Sequence, residues 1–232
     1  MSEQITFTID GKTCTSDAGA NIADAAKANG VYIPTLCHFE NLKPVGTCRI
    51  CTCKANGRFM SACTTEATDG MVVENETEEI SSMRKIIIEM LFVDGNHFCP
   101  ACEKSGSCEL QAMAYHYQMM APRFKFTFKP KELDASSSKL VLERNRCIMC
   151  KRCVRAVTTS DGKHVFAFQK RGSVIDINID PELADGLTDV QAQEAMDLCP
   201  VGAIIHKEQG FNTPIGKRKY DAKPIDDVVM NR

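Results

Sequence analysis

Eleven of the chain's 13 cysteines fall into three groups of regular spacing, and that grouping narrows the possible folds more than any other feature. Cysteines that only fill a core are scattered as small hydrophobes; grouped ones are held by disulfides or by metal. The amino-terminal run MSEQITFTID is polar and alternating, without the basic and apolar regions of a secretion signal. No apolar run approaches the roughly 18 residues of a membrane span. A cytoplasmic location is therefore expected, where disulfides are disfavoured, and an odd cysteine count points the same way. Metal is the expectation. Composition adds the frame: 232 residues, 44% hydrophobic and 25% charged, suit a globular protein of two or three modules. A net charge of −2 argues against a nucleic-acid partner.

Three segments are expected in an α+β chain. Residues 1–78 begin with ITFTID, where Ile5, Phe7 and Ile9 alternate with Thr6, Thr8 and Asp10 in a period of two. Asp10-Gly11 signals a hairpin turn, NIADAAKANG a helix capped by Asn21 and stopped by Gly30, and Asn56-Gly57 a second hairpin. Two hairpins and a crossing helix predict a β-grasp sheet. Residues 79–135 are predicted helical: SSMRKIIIEMLFV is apolar almost all round and should be buried between modules, CELQAMAYHYQMM forms a second helix, and PRFKFTFKPKELDASSSK is a polar linker. Residues 136–232 carry CIMCKRC, a hairpin turning near Arg171-Gly172, then CPVGAI, and a polar tail from about Phe211.

The first cysteine set is Cys37-x10-Cys48-x2-Cys51-x11-Cys63. Four thiolates suit a [2Fe–2S] cluster, two per iron. Zinc is the alternative, although zinc sites more often place tight pairs at both ends of a loop. Gly46, two residues before Cys48, suits a close backbone approach to a sulfide. The second set is Cys99-x2-Cys102-x5-Cys108 with His97 as a candidate fourth ligand; a histidine that merely adjoins a three-cysteine site is the alternative. The third, Cys147-x2-Cys150-x2-Cys153 with a remote Cys199-Pro200, is the pattern of a bacterial-type [4Fe–4S] ferredoxin site. In two-cluster ferredoxins a further cysteine and proline follow; here Val157 and Thr158 stand there, and no triplet precedes Cys199, so one cluster in a half-degenerate fold is expected. Cys14 and Cys53 are left over and read as buried small hydrophobes. Arg49, Lys151 and Arg152 flank ligands, and either stabilise a reduced cluster or face solvent or a partner. Gly11, Gly19 and Gly30 form no phosphate-binding G-x-G-x-x-G run.

The three sets in this order resemble the amino-terminal region of the large iron–sulfur subunit of respiratory complex I, a module shared with iron-only hydrogenases and NAD-dependent formate dehydrogenases. GVYIPTLC, GTCRICTCKANG, GNHFCPACEKSGSCELQ, ERNRCIMCKRC, CPVGAI and the closing PIGKRKY carry the likeness. A free-standing version is similar to the HoxU-type diaphorase iron–sulfur subunits of NAD-reducing [NiFe] hydrogenases. The resemblance implies a β-grasp [2Fe–2S] ferredoxin-like domain at 1–78, a helical [4Fe–4S] segment with one histidine and three cysteine ligands at 79–135, and a bacterial ferredoxin-like [4Fe–4S] domain at 136–232. It implies one [2Fe–2S] cluster on Cys37, Cys48, Cys51 and Cys63, and two [4Fe–4S] clusters, on His97, Cys99, Cys102 and Cys108 and on Cys147, Cys150, Cys153 and Cys199. In the complex I relatives the histidine stands four residues before its first cysteine; here Gly95 is at that position and the spacing is H-x-C.

The implied role is electron transfer within a cytoplasmic hetero-oligomer, between a flavin-containing NAD(H)-binding diaphorase subunit and a hydrogenase small subunit, with no catalytic residue in this chain. A subunit of another NAD-linked complex (a formate dehydrogenase, a bifurcating hydrogenase or a complex I-like assembly) is the near alternative. A zinc-stabilised scaffold is the distant one.

Overall fold

The computed structural model describes residues 3–231. The chain divides into two compact units, the first holding residues up to Ile88, Met113–Met120 and the residues from Pro224 on, the second Glu89–Ala112 and Ala121–Lys223. Segment 79–135 is therefore shared between the units.

The first unit is built on β1 (Gln4–Ile9), β2 (Lys12–Asp17), α1 (Ile22–Ala28), β3 (Thr52–Ala55), β4 (Arg58–Ser61) and β5 (Val72–Glu74). The sheet order is β2-β1-β5-β3-β4; β1 and β5 are parallel and the other neighbours antiparallel. This is the expected β-grasp arrangement, with the short central β5 that sequence alternation did not reveal. Both hairpins turn where expected: Asp10 and Gly11, then Asn56 and Gly57, have positive φ, as a two-residue turn matched to strand twist requires. The period-two reading of β1 holds, with Ile5, Phe7 and Ile9 buried in one core with Ile22, Ala26 and Val73. Helix α1 starts where Asn21 Oδ1 accepts from Asp24 N at 2.9 Å, and the chain leaves it through Gly30 at φ +70°.

Helix α2 (Glu78–Asp94) corrects the expectation of an all-round apolar rod. Ile80, Arg84 and Ile88 recur every four residues on one buried stripe, while Ile86 and Met90 are exposed, Met90 at 54%. Arg84 is 0% exposed. Its Nη1 donates to Asn75 O at 3.2 Å and Tyr117 Oη at 3.1 Å, and its Nη2 to Thr52 O at 3.0 Å and Asn75 Oδ1 at 2.6 Å. A cation is stable there because the loops around β3 and β5 have carbonyls that no strand satisfies. Helix α3 (Glu109–His116) is shorter than its sequence pattern, for the chain reaches positive φ at Gln118.

The second unit contains β6 (Leu140–Leu142), α4 (Arg152–Ala156), β7 (Phe166–Gln169), β8 (Asp176–Ile179), α5 (Pro181–Asp185), α6 (Asp189–Leu198) and β9 (Ile204–His206). β6 pairs antiparallel with β9, and β7 with β8. The turn expected at Arg171-Gly172 is longer than a two-residue hairpin: a 3-10 turn at Gly172–Val174 separates Gln169 from its partner Asp176. Thr188 and Gln191 close a reciprocal capping box at the start of α6. The polar tail expected from Phe211 is also more structured than expected. Arg218 in the second unit is buried, and the first unit gains α7 (Ile225–Met230) with Ile225 buried. Among the described residues no helix is long and apolar enough to cross a membrane.

Replacing Arg84 with Met leaves two carbonyls, an amide oxygen and a phenol without their donor. The expected loss is about 3 kcal/mol or more, seen as a lower unfolding midpoint by calorimetry. An unchanged midpoint would mean that the guanidinium is dispensable.

Candidate metal centres

The first site forms where the β3–β4 hairpin ends. Its register sets Thr52 opposite Ser61, so Cys51 and Cys63, just outside the ladder, come side by side. The 36–50 loop brings Cys37 and Cys48 to them. Side-chain hydrogen bonds join Cys37 to Cys48, Cys51 to Cys63 and Cys37 to Cys63. Four thiols brought together in one chain of contacts match the ligand number of a group that takes two ligands on each of two irons. The hydrogen bond from Cys63 brings the Cys51 thiol down to about 7. Gly46 has φ +62°, a conformation that favours glycine. Cys14 and Cys53 stay apart in β2 and β3, both buried. Burial pushes Cys53 up to about 12 and raises Cys14, which makes them unreactive core thiols.

The second site lies in a cavity whose lining includes His97, Cys99, Cys102, Cys108, Phe92 and Arg146. Pro100 stands in the short 3-10 turn Cys99–Ala101, which brings Cys102 N within 3.1 Å of Cys99 O. Cys108 precedes α3, and its Sγ accepts from Gln111 N at 3.4 Å. The His97 Nε2 is buried with no hydrogen-bond partner. Burial holds the ring at about 4, against a backbone hydrogen bond at Leu91, so the imidazole is neutral at pH 7 and keeps a lone pair. The ring packs against Phe92 at 5.3 Å between centroids. A Cβ on Gly95 would come within 2.6 Å of Nε2 and 3.0 Å of Asn145 O. Glycine at the four-back position thus leaves room for the imidazole that arrives two residues later. A Cβ on Gly202 would strike Cys102 Sγ.

The third site gathers Cys147, Cys150, Cys153 and Cys199 around one cavity with Ile177 and Val201. Met149 and Lys151 both have positive φ; these two reversals curl the loop between the cysteines. Cys199 caps the end of α6. Burial pushes Cys147 up to about 11 and raises Cys153 well above the usual thiol range. Val157, where a second-cluster cysteine would stand, is buried, and its carbonyl accepts from Val165 N at 3.1 Å.

All twelve residues singled out in the sequence therefore gather into the three expected sets. Among the described residues, no group of three or more His, Cys, Asp or Glu side chains has the spacing for a single metal ion. The orphaned His97 nitrogen, the two cysteine-lined cavities and the four gathered thiols of the first site fit iron–sulfur groups.

Of the flanking cations, Arg49 is exposed and Lys151 half-buried, its ammonium 5.7 Å from the Phe168 ring centroid. Arg152 is 2% exposed and gives a bidentate pair to Glu109, at 3.0 and 2.8 Å. Arg146 meets Glu103 at 2.5 Å. Arg218 donates to Glu103 O at 2.8 Å, Ser105 O at 2.6 Å and Thr213 O at 2.7 Å, backing the 102–108 loop. Sequence reading missed Arg84 and Arg218. Arg146 had the same signal as Arg152, a cation beside a ligand cysteine.

Three family models match the chain in order. One described as a 2Fe-2S iron-sulfur cluster binding domain covers residues 2–78. The NADH-ubiquinone oxidoreductase-G iron-sulfur binding region covers 84–123, and the ferredoxin-like domain of NADH-quinone oxidoreductase subunit 3 covers 138–205. The gamma subunit of the NAD-reducing hydrogenase HoxS of Cupriavidus necator is 46% identical over 97% of this chain and 96% of its own length. The mitochondrial NADH-ubiquinone oxidoreductase 78 kDa subunit of Candida albicans is 30% identical over 97% of this chain, which spans only 31% of that protein. A chain in the crystal structure of the NAD+-reducing [NiFe]-hydrogenase in its H2-reduced state superposes with a TM-score of 0.88 at 39% identity, over 97% of this chain and 98% of that one. The chain therefore carries a two-iron ferredoxin domain, a four-iron binding region and a ferredoxin-like domain.

Cys14→Ser and Cys53→Ser should each keep the full iron content while costing about 1 kcal/mol, the effect of a hydroxyl in an apolar site. Iron assay and paramagnetic resonance check this. Loss of a two-iron signal from either variant would place that residue among the ligands.

Proposed function

The chain belongs to the family of iron–sulfur subunits of NAD-reducing hydrogenases, and from that premise we propose that it relays electrons between a flavin-containing NAD(H)-binding diaphorase subunit and a hydrogenase small subunit in a cytoplasmic hetero-oligomer. The observation that carries this reading is the end-to-end match to a hydrogenase gamma subunit. The mitochondrial relative is matched over less than a third of its length, which makes the hydrogenase subunit the better guide to this chain's role.

In this reading the chain is three modules, 1–78, 79–135 and 136–232. Cys37, Cys48, Cys51 and Cys63 hold one [2Fe–2S] cluster. His97, Cys99, Cys102 and Cys108 hold one [4Fe–4S] cluster, and Cys147, Cys150, Cys153 and Cys199 the other. When bound, these groups supply reversible one-electron chemistry at potentials set by ligand type, charge and burial. The chain's own residues hold, orient and shelter them. The 3-10 turn at Cys99–Ala101 spaces two thiolates, Gly95 makes room for the imidazole, and the buried Ile177 and Val201 give the third site an apolar lining. No catalytic residue is assigned to this chain; hydride transfer and hydrogen activation belong to its partners.

Purification of the native complex and identification of its subunits tests the assignment. A flavin subunit and a [NiFe] hydrogenase pair are expected; a formate dehydrogenase subunit in their place would redirect it. The full chain should contain about ten irons. A value near four with stoichiometric zinc would favour the scaffold reading.

His97→Cys should retain a four-iron signal at a lower potential, because a thiolate adds negative charge where the imidazole is neutral. His97→Ala should give a labile or three-iron species. An unchanged four-iron signal, potential and iron content in His97→Ala would remove His97 from the ligands.

A further inference from the structure

The ligand loops of the second and third sites are tied to each other by charge. Glu103 follows Cys102, and Glu109 follows Cys108. Arg146 precedes Cys147, and Arg152 lies between Cys150 and Cys153. Arg152–Glu109 runs from a carboxylate beside the second site to a guanidinium lining the third, whereas the guanidinium of Arg146, paired with Glu103, lines the second site's own cavity. The Arg152 pair is the drier of the two, both side chains being nearly out of solvent. Its geometry is also tied down from both sides. Arg152 Nη1 donates to Leu198 O at 3.3 Å, one residue before Cys199, and Glu109 N donates to Pro200 O at 2.8 Å, one residue after it.

A dipole fixed in this way cannot be neutral toward the sites it separates. Water does not screen it, so its field reaches both at low effective dielectric. Adding an electron makes either site more negative. A nearby cation favours that change and a nearby anion opposes it. Two cations stand on the second site's side, Arg146 in its cavity lining and the buried Lys104, whose ammonium donates to Met196 O at 2.6 Å and meets Asp197 at 3.4 Å; both set the baseline potential of that site and neither is altered in the variants below.

We propose that the Arg152–Glu109 pair is a potential-setting dipole, which raises the reduction potential of the third site and lowers that of the second. Both residues are positioning and tuning groups rather than ligands. The effect opposes the imidazole at the second site, so the two influences on that site have opposite signs. The proposal rests on the reading of these two residue sets as four-iron sites.

The test is a redox titration of the full, iron-loaded chain followed by paramagnetic resonance, with His97→Cys used to assign which signal belongs to the second site. Glu109→Gln is expected to raise both midpoints, the second site's more. Arg152→Met is expected to lower both, the third site's more. Arg152→Lys, which keeps the charge, should stay close to wild type. Opposite signs ranked in this order are the signature of charge; a purely structural role would not produce them. Absent shifts, shifts of one sign in both variants, or the reverse ranking would overturn the proposal. If Arg152→Met does not take up iron, Glu109→Gln alone decides, and anything other than a rise greatest at the second site overturns it. A wild-type chain lacking two four-iron signals would instead sink the underlying reading, and the dipole with it.

Discussion

Segments that surround a cysteine site leave backbone carbonyls without a helix or ladder partner, and in this chain arginine side chains, most of them buried, supply many of the missing donors. Arg84 serves Thr52 and Asn75, Arg152 serves Leu198, Arg144 serves Ile177 at 2.9 Å and Glu132 at 3.1 Å, and Arg218 serves Glu103 and Ser105. Each of those carbonyls lies in or beside a segment that carries a candidate ligand or packs against one. A guanidinium suits the task because it projects five donors in a rigid fork and remains charged at any working pH.

This solution has an electrostatic consequence. A protein that buries cations to organise its loops also places positive charge beside sites that accumulate electrons. Where a carboxylate completes the arrangement, as at Glu109 and Glu103, the charge becomes a dipole with direction. Structural support and redox tuning are then two effects of the same side chains, and only substitutions that separate charge from shape can tell them apart.

The clustering of thiols was legible in the chain because metal ligation constrains spacing: a C-x2-C step is a local requirement, met within one turn of backbone. The β1 alternation, the Asp10-Gly11 and Asn56-Gly57 turns and the Asn21 cap were legible for the same reason, each depending on neighbours a few residues away. Helix α2 was misjudged because its run of apolar letters hides which side faces solvent: Ile86 and Met90 are exposed while the charged Arg84 and Glu89 are buried. Glu89 is buried against Arg123, whose Nε donates to both its oxygens at 3.0 Å, and that partner is remote in sequence. The tail was misjudged likewise, since nothing near Arg218 says that its acceptors lie in the 102–108 loop.

By itself, then, the sequence determined the candidate ligand sets, the order of the three regions and the α+β class, which follow mostly from short-range spacing and periodicity. Tertiary structure alone decided which charges are buried, which carbonyls they satisfy, how Gly95 clears space for His97, and that Arg152 meets Glu109. Those are contacts between segments far apart in the chain, and their energy depends on desolvation, which no local pattern records.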